Sequence, residues 1–454
     1  MNKRLLILFI TALSIMSCNI YKPYSRQEVK TDSLYGEDVP TVDSTSLGTM
    51  KWKEVFTDPI LQSLIERGIK NNTNLAEARL GVEQARAALS NARLNLLPTL
   101  ALTPEASATS FDHSKAVQTY NLPIVSSWQI DIFKKLGNKK LQAKAVYLQT
   151  KEYQQAVQTS LVANIANAYY TLLMLDEQYS ITRKTYTNLN QTLEMTKALM
   201  DAGKSNQAAV SQIQAQCYSV NAAMEDFKKS ISDVEGSLSV VLKETPHKIE
   251  RGNIKDIVLP NEFSLGFPIQ LLSNRPDVRA SEYNLQQYYY GLNVARASFY
   301  PTINLSGSAG WTNNAGSMIL NPGKLLASAL GSLTQPLFNG GALRANLKVA
   351  QAQLKSAQLQ FEQKLLDAGN EVNTYYTQCQ NSQKKLILRK KQVKSLRIAL
   401  KSAKLLMENS NNTYLSVLTA HNTLLSAQTS EVSDWFEGVQ GVVNLYQALG
   451  GGQN

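Results

Sequence analysis

The sequence predicts a mainly α-helical fold with a smaller β component, built from two copies of one structural unit. Residues 71–108 lie over residues 274–311 without a gap, so that Pro98 matches Pro301 at a spacing of 203 residues. In both copies, alternation of apolar and polar residues begins directly after the matched proline, and a period of two indicates a β-strand. Each copy then runs through about 67 residues without a proline, enough for a helix about 100 Å long.

The first residues have the layout of an export signal, which we predict over residues 1–17. Lys3 and Arg4 precede an apolar run that is too short to span a bilayer comfortably. The run ends in Ile-Met-Ser-Cys, which resembles a bacterial lipobox, so Cys18 is the predicted lipidation site and anchor in outer-membrane lipid. The alternative is an ordinary signal peptide with an incidental cysteine. Asn19 is not an aspartate, so the inner-membrane retention signal known in some bacteria is missing.

The charge of the chain is strongly basic, with a formal value of +11, or +9 once Lys3 and Arg4 leave with the signal. Basic chains raise the question of nucleic-acid binding. Here the lysines and arginines are spread along helical segments without a binding motif, and export separates the protein from nucleic acid. We therefore expect no nucleic-acid partner.

No pattern of catalytic or metal-binding residues is present in the sequence, so we predict neither an enzyme nor a cofactor. His113, His247 and His421 are far apart and lack the spacing of metal ligands. Cys217 and Cys379 each stand alone in a helical stretch. In an exported chain they could form a disulfide or remain free thiols, and both readings stay open.

A polar, turn-rich segment, 18–50, leads from the predicted anchor to the body of the protein and is expected to be an extended tether. Apolar residues then recur at i, i+3, i+4 and i+8 from Leu61, which predicts a helix. Asparagines and a threonine at 71–74 are suitable N-caps for a second helix, roughly 75–96, which ends before Pro98.

The first β region is predicted as a hairpin over 99–133, with its reversal near 112–114. In both copies one strand face is apolar, and Leu102 and Leu305 are its matched residues. This alternation suits a strand between lipid and a watery lumen, or a half-buried sheet in a soluble protein. Trp128, near a strand end, fits either a membrane-interface aromatic or a core tryptophan.

The first long helix is predicted to end in a helical tip at 201–206. Gly203 is the candidate C-cap, and Ser205 or Asn206 starts a return helix that ends before Pro246. A helix that reverses in this way packs antiparallel to its partner.

These elements divide the chain into two repeats. The first repeat covers 51–245 and is followed by a less regular equatorial linker, 246–272. The second repeat, 273–454, contains the hairpin 302–338, a second long helix and a second tip at 409–412.

The tetrapeptide Asn-Arg-Pro-Asp at the start of the second repeat looks like a functional motif, but its residue types favour a structural role. Pro276 and Asp277 suit the first turn of a helix, and Asn274 is the predicted N-cap.

This succession of helix, hairpin, very long helix, tip and return helix resembles the TolC-like outer-membrane efflux proteins, in particular their lipoprotein branch. Four motifs, in this order and spacing, carry the resemblance: WKEVFTDPILQSLIERGIKNNTNLAEA from Trp52, LLSNRPDVRASE from Leu271, QPLFNGGALRANL from Gln335 and LYQALGGG from Leu445. The resemblance implies a homotrimer in which each protomer supplies four β-strands to a shared twelve-stranded outer-membrane barrel. It also implies that the long antiparallel coiled-coil helices form a periplasmic tunnel.

The residues alone lead part of the way to the same architecture. No apolar run of about 18 residues follows the signal, so a membrane-spanning form has to be a closed barrel. Four strands cannot close one, because barrels begin at about eight strands. The chain should therefore oligomerise, and three chains with twelve strands is the solution of the family it resembles.

The function implied is that of an outer-membrane factor in a tripartite RND-type efflux system. Such a factor is a passive exit duct that works with a periplasmic adaptor (membrane fusion) protein and an inner-membrane transporter. An alternative of a different class is a structural or adhesive coiled-coil lipoprotein with soluble β tips. Within the duct interpretation, drug efflux and protein secretion are both open, and the transported substrate is not encoded in this chain.

Two groups of site residues follow from the resemblance. The tip residues expected to touch the adaptor are Gly203, Lys204, Ser205, Ser410, Asn411 and Asn412. The candidate gate region comprises Asp201, Glu408, Tyr414, Ser416 and Thr419.

The gate is not expected to be an aspartate ring. Members of the resembling family often carry an acidic residue after the second tip, in a segment like V-L-D-A-Q. Thr419 stands at that place here. We therefore expect closure by hydrogen bonding and packing, with Tyr414 and Asn411 as candidate participants.

Overall fold

A computed structural model gives the fold of the chain. The described residues are 21–26, 34–35, 47–257, 271–313, 324–409 and 414–452. The predicted signal peptide and Cys18 lie outside this part of the chain. The chain divides into two compact units, each with its own contacts. Unit 1 is Met1–Val29, Leu80–Lys151 and Ala280–Gln363, and unit 2 is Lys30–Arg79, Glu152–Arg279 and Lys364–Asn454.

The elements follow the predicted succession in both halves of the chain. In chain order they are α1 (Trp52–Val55), α2 (Pro59–Asn71), α3 (Thr73–Leu94), β1 (Thr99–Leu102), β2 (Glu105–Thr109), β3 (Val117–Ile130), α4 (Lys135–Asp201), α5 (Gln207–Val241), α6 (Leu271–Asn274), α7 (Pro276–Ala297), β4 (Thr302–Asn313), β5 (Lys324–Thr334), α8 (Ala342–Asn409) and α9 (Tyr414–Ala448).

The strands of unit 1 form one antiparallel sheet in the order β1-β3-β4-β5, and β2 also pairs with β3. The alternation after Pro98 predicts one strand, but the structure has two, with Pro104 between them. A proline has no N–H for the strand ladder, so it interrupts the pairing. The predicted reversal is confirmed: Asp112 and His113 take left-handed conformations, with φ of 48° and 62°.

One face of the sheet is mainly apolar and the other mainly polar, although Leu326 and Leu330 of β5 lie on the polar face. In an antiparallel pair, residues directly opposite each other point to the same face. One face therefore carries rows such as Leu122, Trp311 and Leu325. The other face carries hydroxyl pairs, of which Ser308–Ser328 is joined by an Oγ–Oγ hydrogen bond of 2.7 Å. The alternation predicted after Pro301 and in the return strand of the first hairpin is thus confirmed in β4 and β3, whereas β5 carries leucines on both faces.

Trp128 is not a core residue, because 38% of its surface is exposed. Its indole nitrogen donates a hydrogen bond of 2.9 Å to the carbonyl of Leu96. The polar atom is thus satisfied while the ring faces outward, as in aromatic residues at a membrane interface. The interface role stays a prediction.

The two long helices have the predicted lengths: α4 has 67 residues and α8 has 68. Asp131 fixes the start of α4, since its carboxylate oxygens accept hydrogen bonds of 2.9 Å from the amide of Leu136 and 2.6 Å from that of Gly137. Gly340 and Gly341 precede α8 with positive φ angles, which favour glycine. No helix in the described part of the chain is both long and apolar enough to cross a membrane.

Apolar side chains hold the two helical hairpins of unit 2 together. One buried cluster joins α4 to α5 and includes Leu189, Ile213 and Cys217, and another joins α8 to α9. Tyr414, at the start of α9, packs against both clusters. Cys217 and Cys379 are both free and buried, so the question of a disulfide between them is answered.

The prediction that Asn274 caps the following helix is wrong. Asn274 is the last residue of α6, and Arg275 stands between α6 and α7. The carbonyl of Arg275 accepts the first helical hydrogen bond, 3.1 Å from the amide of Arg279, so Arg275 is the N-cap. Pro276 does occupy the first position of α7, as predicted.

The described part of the predicted tether is attached to α7 in unit 1. The guanidinium of Arg26 pairs with the carboxylate of Glu282 at 2.8 and 2.5 Å. The hydroxyl of Tyr289 donates a hydrogen bond of 2.8 Å to the carbonyl of Lys22, and its ring meets that of Tyr24 edge-on. Residues 21–26 therefore follow a specific path rather than a free one.

Candidate functional site

The first helical tip ends α4 with a Schellman motif. The amide of Gly203 donates 2.9 Å to the carbonyl of Met200, and the amide of Lys204 donates 2.8 Å to that of Leu199. Gly203 has a φ of +72°, which an L-residue with a side chain adopts only at a cost. Gly203 is thus the C-cap residue, as predicted, and it allows α4 to stop directly after Asp201.

Asn206 begins the return helix α5. Its side-chain oxygen accepts a hydrogen bond of 2.9 Å from the amide of Ala209, so Asn206, rather than Ser205, is the N-cap. Between the two caps, Gly203 and Lys204 are exposed and Ser205 is partly exposed. A Cβ at Gly203 would meet no atom within 4 Å. The tip therefore offers an open surface, and its glycine is required by conformation alone.

The second tip falls mainly outside the described residues. Ser410, Asn411 and Asn412 belong to this undescribed segment, between the end of α8 and the start of α9. Glu408 lies in the last turn of α8. The predicted contacts of these residues with an adaptor stay a prediction.

The remaining candidate gate residues are carried by α9 and by the end of α4. Tyr414 is partly buried between the two apolar clusters, whereas Ser416 and Thr419 are exposed. Ser416 and Thr419 are three residues apart, so they share one face of α9. Asp201 is also exposed, at the end of α4. The face of α9 that contains position 419 thus carries neutral hydroxyl groups.

A groove in unit 2 was not predicted as a site. It has a volume of about 720 Å³ and is lined by residues of α4, α8 and α9 and by the linker around Ile254. His421 lines it but is only 2% exposed, and its Nε2 has no hydrogen-bond partner. Burial lowers the pKa of His421 to about 4, so the ring is neutral near pH 7. The sequence offered only an isolated histidine here, without a neighbouring motif.

Comparison with known families and proteins agrees with this geometry. The family model of the outer membrane efflux protein matches residues 64–242 and 268–451. The toluene efflux pump outer membrane protein TtgC of Pseudomonas putida is 26% identical over 471 aligned positions, covering 100% of this chain and 96% of that protein. The probable outer membrane lipoprotein SilC of Salmonella typhimurium is 27% identical, covering 88% of each chain.

A solved structure of similar fold is the open state of the MtrE outer membrane channel of Neisseria gonorrhoeae. The TM-score is 0.88 at 24% identity, covering 96% of this chain and 99% of that channel. The two repeats, the sheet and the long helices are thus the TolC-like arrangement that the motifs indicated. The chain belongs to the outer membrane efflux protein family and is an efflux channel of the outer membrane.

Proposed function

We propose that the chain works as a homotrimer that forms the exit duct of a tripartite efflux pump. In this role it passively conducts small molecules that an inner-membrane transporter and a periplasmic adaptor deliver. The observation that carries the trimer is the open sheet. In the described residues, β5 pairs only with β4, and β1 and β2 pair only with β3, so both outer edges lack a partner.

Unpaired strand edges cannot be left in a bilayer, because their N–H and C=O groups have no water to bond. Joining β5 of one protomer to the β1 edge of the next removes the edges. Three copies then close a barrel of twelve strands, an even number within the range of outer-membrane barrels. The apolar face with Leu122, Trp311 and Leu325 would contact lipid, and the hydroxyl-rich face would line the lumen.

Lipidation of Cys18 completes the proposed attachment. Tyr21 follows Cys18 by three positions, so the two Cα atoms are at most about 11 Å apart. Tyr21 interacts electrostatically with Arg296, Tyr300 and Asp131, close to where the sheet joins the helices of unit 1. A lipid on Cys18 would then enter the membrane beside the base of the barrel. Mass spectrometry of the mature N-terminus tests this, and an unmodified Cys18 would contradict it.

The tips are the proposed adaptor contact. The repeats 51–245 and 273–454 each contribute one hairpin and one tip, so a trimer presents six tips. Gly203, Lys204 and Ser205 support the proposal because they are accessible and fixed by two caps. Substitutions with bulky residues at both tips should abolish export while leaving the amount of trimer unchanged. Export that survives such changes would place docking elsewhere.

Planar-bilayer recording tests the duct itself. The purified protein should run as a heat-modifiable trimer and should produce stable single-channel conductance. A structural or adhesive lipoprotein with soluble β tips would give neither. A stable, fully folded monomer in detergent would contradict the proposal.

A further inference from the structure

Positive charge is concentrated at one end of the sheet in unit 1. The register of the strands brings the four junctions between strands and helices to the same end. These junctions are residues 90–98, 131–144, 293–301 and 335–348. They contain nine lysines and arginines but only one acidic residue, Asp131, whereas the rest of the two hairpins contains two basic and two acidic residues. The junctions thus carry a formal charge of +8, and the rest of the hairpins carries none.

This charge is not neutralised within the part of the protomer that the structure describes. None of the nine basic residues forms an ion pair with another described residue. The carboxylate of Asp131 is engaged by the amides of Leu136 and Gly137 at the start of α4. The positive end of the sheet is therefore free to attract an anionic partner from outside the protomer.

Two of the basic residues belong to segments that a stacked aromatic pair brings together. The rings of Phe133 and Tyr300 stack with their centroids 4.9 Å apart. Lys134 directly follows Phe133, and Arg296 lies in the last turn of α7, four residues before Tyr300. Lys134, Arg296 and Tyr300 are exposed. We call these four residues the junction patch.

The backbone does not explain why residue 134 is a lysine. Lys134 adopts the left-handed conformation, with a φ of 56°, and glycine or asparagine would adopt it at a lower cost. The side chain does not contribute to the core, because it is exposed. Its charge, at the surface where the sheet meets the helices, is the remaining reason for this residue type.

The proposed lipidation indicates which way the junction patch faces. Acyl chains on Cys18 can enter the bilayer only from outside the barrel. Tyr21 follows Cys18 by three positions and interacts electrostatically with Arg296 and Tyr300, so both lie on the outer side. The exposed ring of Trp128 lies on the apolar face near the same end of the sheet. The patch then lies at the periplasmic surface of the membrane, at the level of the lipid phosphates.

We propose that the junction patch binds the headgroup of an anionic phospholipid, such as phosphatidylglycerol, in the leaflet that faces the periplasm. The guanidinium of Arg296 suits two-pronged pairing with a phosphate, and the Lys134 ammonium adds a second positive charge. The acyl chains would lie along the apolar face of the sheet. The inference rests on the proposed duct and its lipid anchor, and it goes beyond them by assigning a lipid site to particular residues. A trimer would have three such sites.

Native mass spectrometry of the full-length protein in detergent tests the proposal. The probes are dioleoylphosphatidylglycerol and dioleoylphosphatidylcholine, which have the same acyl chains and differ in net charge. We expect up to three tightly bound phosphatidylglycerol molecules per trimer, with an apparent Kd about fivefold lower than that of phosphatidylcholine. The preference should shrink as the ionic strength rises. Equal Kd values for the two lipids would overturn the proposal.

Matched double variants identify the surface. Lys134→Asn with Arg296→Gln should remove the preference for phosphatidylglycerol, and the asparagine tolerates the left-handed conformation. Lys151→Gln with Lys355→Gln removes the same charge from exposed positions about 24 and 20 Å along α4 and α8 from their starts. This distance is more than twice the Debye length at physiological salt, so the control should keep the preference. Equal effects of the two double variants would contradict the assignment.

Two further variants separate charge from folding. Lys134→Arg with Arg296→Lys keeps both charges and should retain the preference to within about twofold. If the double variant that removes both charges does not assemble, Arg296→Gln alone should lower the preference about twofold. A trimeric Arg296→Gln protein with the full preference would place the site elsewhere.

The same measurement distinguishes the possible sources of error. Inorganic phosphate should displace no more phosphatidylglycerol than acetate of equal ionic strength does. Stronger displacement by phosphate would show a site for a free anion rather than for a lipid. A trimer that conducts in planar bilayers but does not prefer phosphatidylglycerol contradicts the lipid site alone. A monomer without conductance contradicts the duct function on which the inference rests.

Discussion

Arg275 lies almost fully buried between α6 and α7, and its guanidinium bonds three partners. It forms a two-pronged pair with Asp277 at 2.9 and 2.7 Å, donates 3.0 Å to the carbonyl of Ala448, and meets Glu371 at 2.7 Å. The side chain of Arg275 thus connects the start of α7, the end of α9 and the middle of α8. This is the structural role expected for the Asn-Arg-Pro-Asp sequence, although the N-cap is Arg275 rather than Asn274.

Arg275→Leu should destabilise the protein by about 3 kcal/mol, because it leaves the carbonyl of buried Ala448 and the partly buried carboxylate of Asp277 without their donor. Lys364 lies 2.8 Å from Asp277 and still pairs with that carboxylate in the variant. The loss should therefore be at the lower end of the range of about 3–5 kcal/mol for breaking a buried ion pair. Arg275→Lys retains the charge but cannot form the two-pronged pair, so its stability should lie between those of Arg275→Leu and the unaltered protein. Urea unfolding followed by circular dichroism measures this. If Arg275→Leu unfolds like the unaltered protein, the clamp contributes little.

Asp277 should make stability depend on acid. Burial opposes its ionisation, but hydrogen bonds with Arg275 and Lys364 outweigh burial and hold the pKa of Asp277 well below its usual range. The unfolded carboxyl has a pKa of about 3.9, so the stabilisation is present above that pH and is lost as pH falls toward the folded pKa. Unfolding midpoints measured from neutral to acidic pH should fall less in Asp277→Asn than in the unaltered protein. If the midpoints of Asp277→Asn and of the unaltered protein fall equally with pH, Asp277 does not contribute to the acid dependence.

The two thiols of the described chain should be inert in the folded protein. Cys379 is 2% exposed, and burial raises its pKa to about 12; burial also raises the pKa of Cys217. Only the thiolate reacts readily, so a maleimide should label neither until the protein is denatured. Mass spectrometry before and after denaturation gives the number of labelled cysteines. Rapid labelling of native Cys217 would show that the α4–α5 cluster opens.

At the scale of elements, the sequence predicted most of what local chemistry decides. Gly203 and Asn206 were named because helix ends need particular residue types, and both have the expected roles. Pro104 is a local signal for the break between β1 and β2, whereas the alternation by itself predicts one continuous strand. The prediction that Asn274 is an N-cap is wrong for a different reason: Asn274 itself ends the short helix α6, and this helical turn overrides the local capping preference.

Other features could not be predicted, because they depend on residues far apart in the sequence. The pairing of Arg26 with Glu282 joins positions 256 residues apart and has no local signal. The groove likewise needs four segments to meet, although each basic residue of α8 is visible in the sequence. Charge counts show that residues 372–407 of α8 contain nine basic residues and no acidic one, but only the packing shows that Lys385 and Arg389 pair with Asp434 of α9.

The two strand faces should respond differently to arginine. Leu305 lies on the apolar face, opposite Trp128 and Gly331, while Ser308 lies on the hydroxyl-rich face. If the apolar face meets lipid, Leu305→Arg near mid-bilayer should cost about 2–4 kcal/mol, and Ser308→Arg should cost much less. Reversible urea unfolding in lipid vesicles measures both. Equal losses would mean that this face does not contact hydrocarbon.

At the scale of the whole molecule, the sheet edges are the proposed assembly surfaces, and the helical tips are proposed both to contact the adaptor and to close the channel. The open sheet edges favour a trimer, and threefold symmetry then places three copies of each tip around one axis. In the proposed trimer, any charged residue at a tip would be present three times around the axis. The identity of single residues near the axis consequently sets how the closed end responds to ions.

Threefold repetition of Thr419 should give a closed end that multivalent cations do not block. A ring of carboxylates would concentrate negative potential and bind such cations, whereas hydroxyls only donate and accept hydrogen bonds. Thr419 and Ser416 are exposed on one face of α9, and the nearest described acidic residue of the other hairpin's tip is Asp201. Hexaamminecobalt(III) added to the periplasmic side should therefore leave single-channel conductance nearly unchanged.

Thr419→Asp is the matched gain-of-charge variant, and it should introduce cation block in a channel that otherwise conducts normally. Block requires the three new carboxylates to converge, so this variant also tests whether position 419 lies close to the threefold axis. Asp201→Asn and Glu408→Gln serve as controls for the two acidic residues that remain near the tips. Tight block of the unaltered channel that persists in both controls would reveal another acidic ring. In that case position 419 would not form the constriction, and the gate would have to be sought further along α4 or α9.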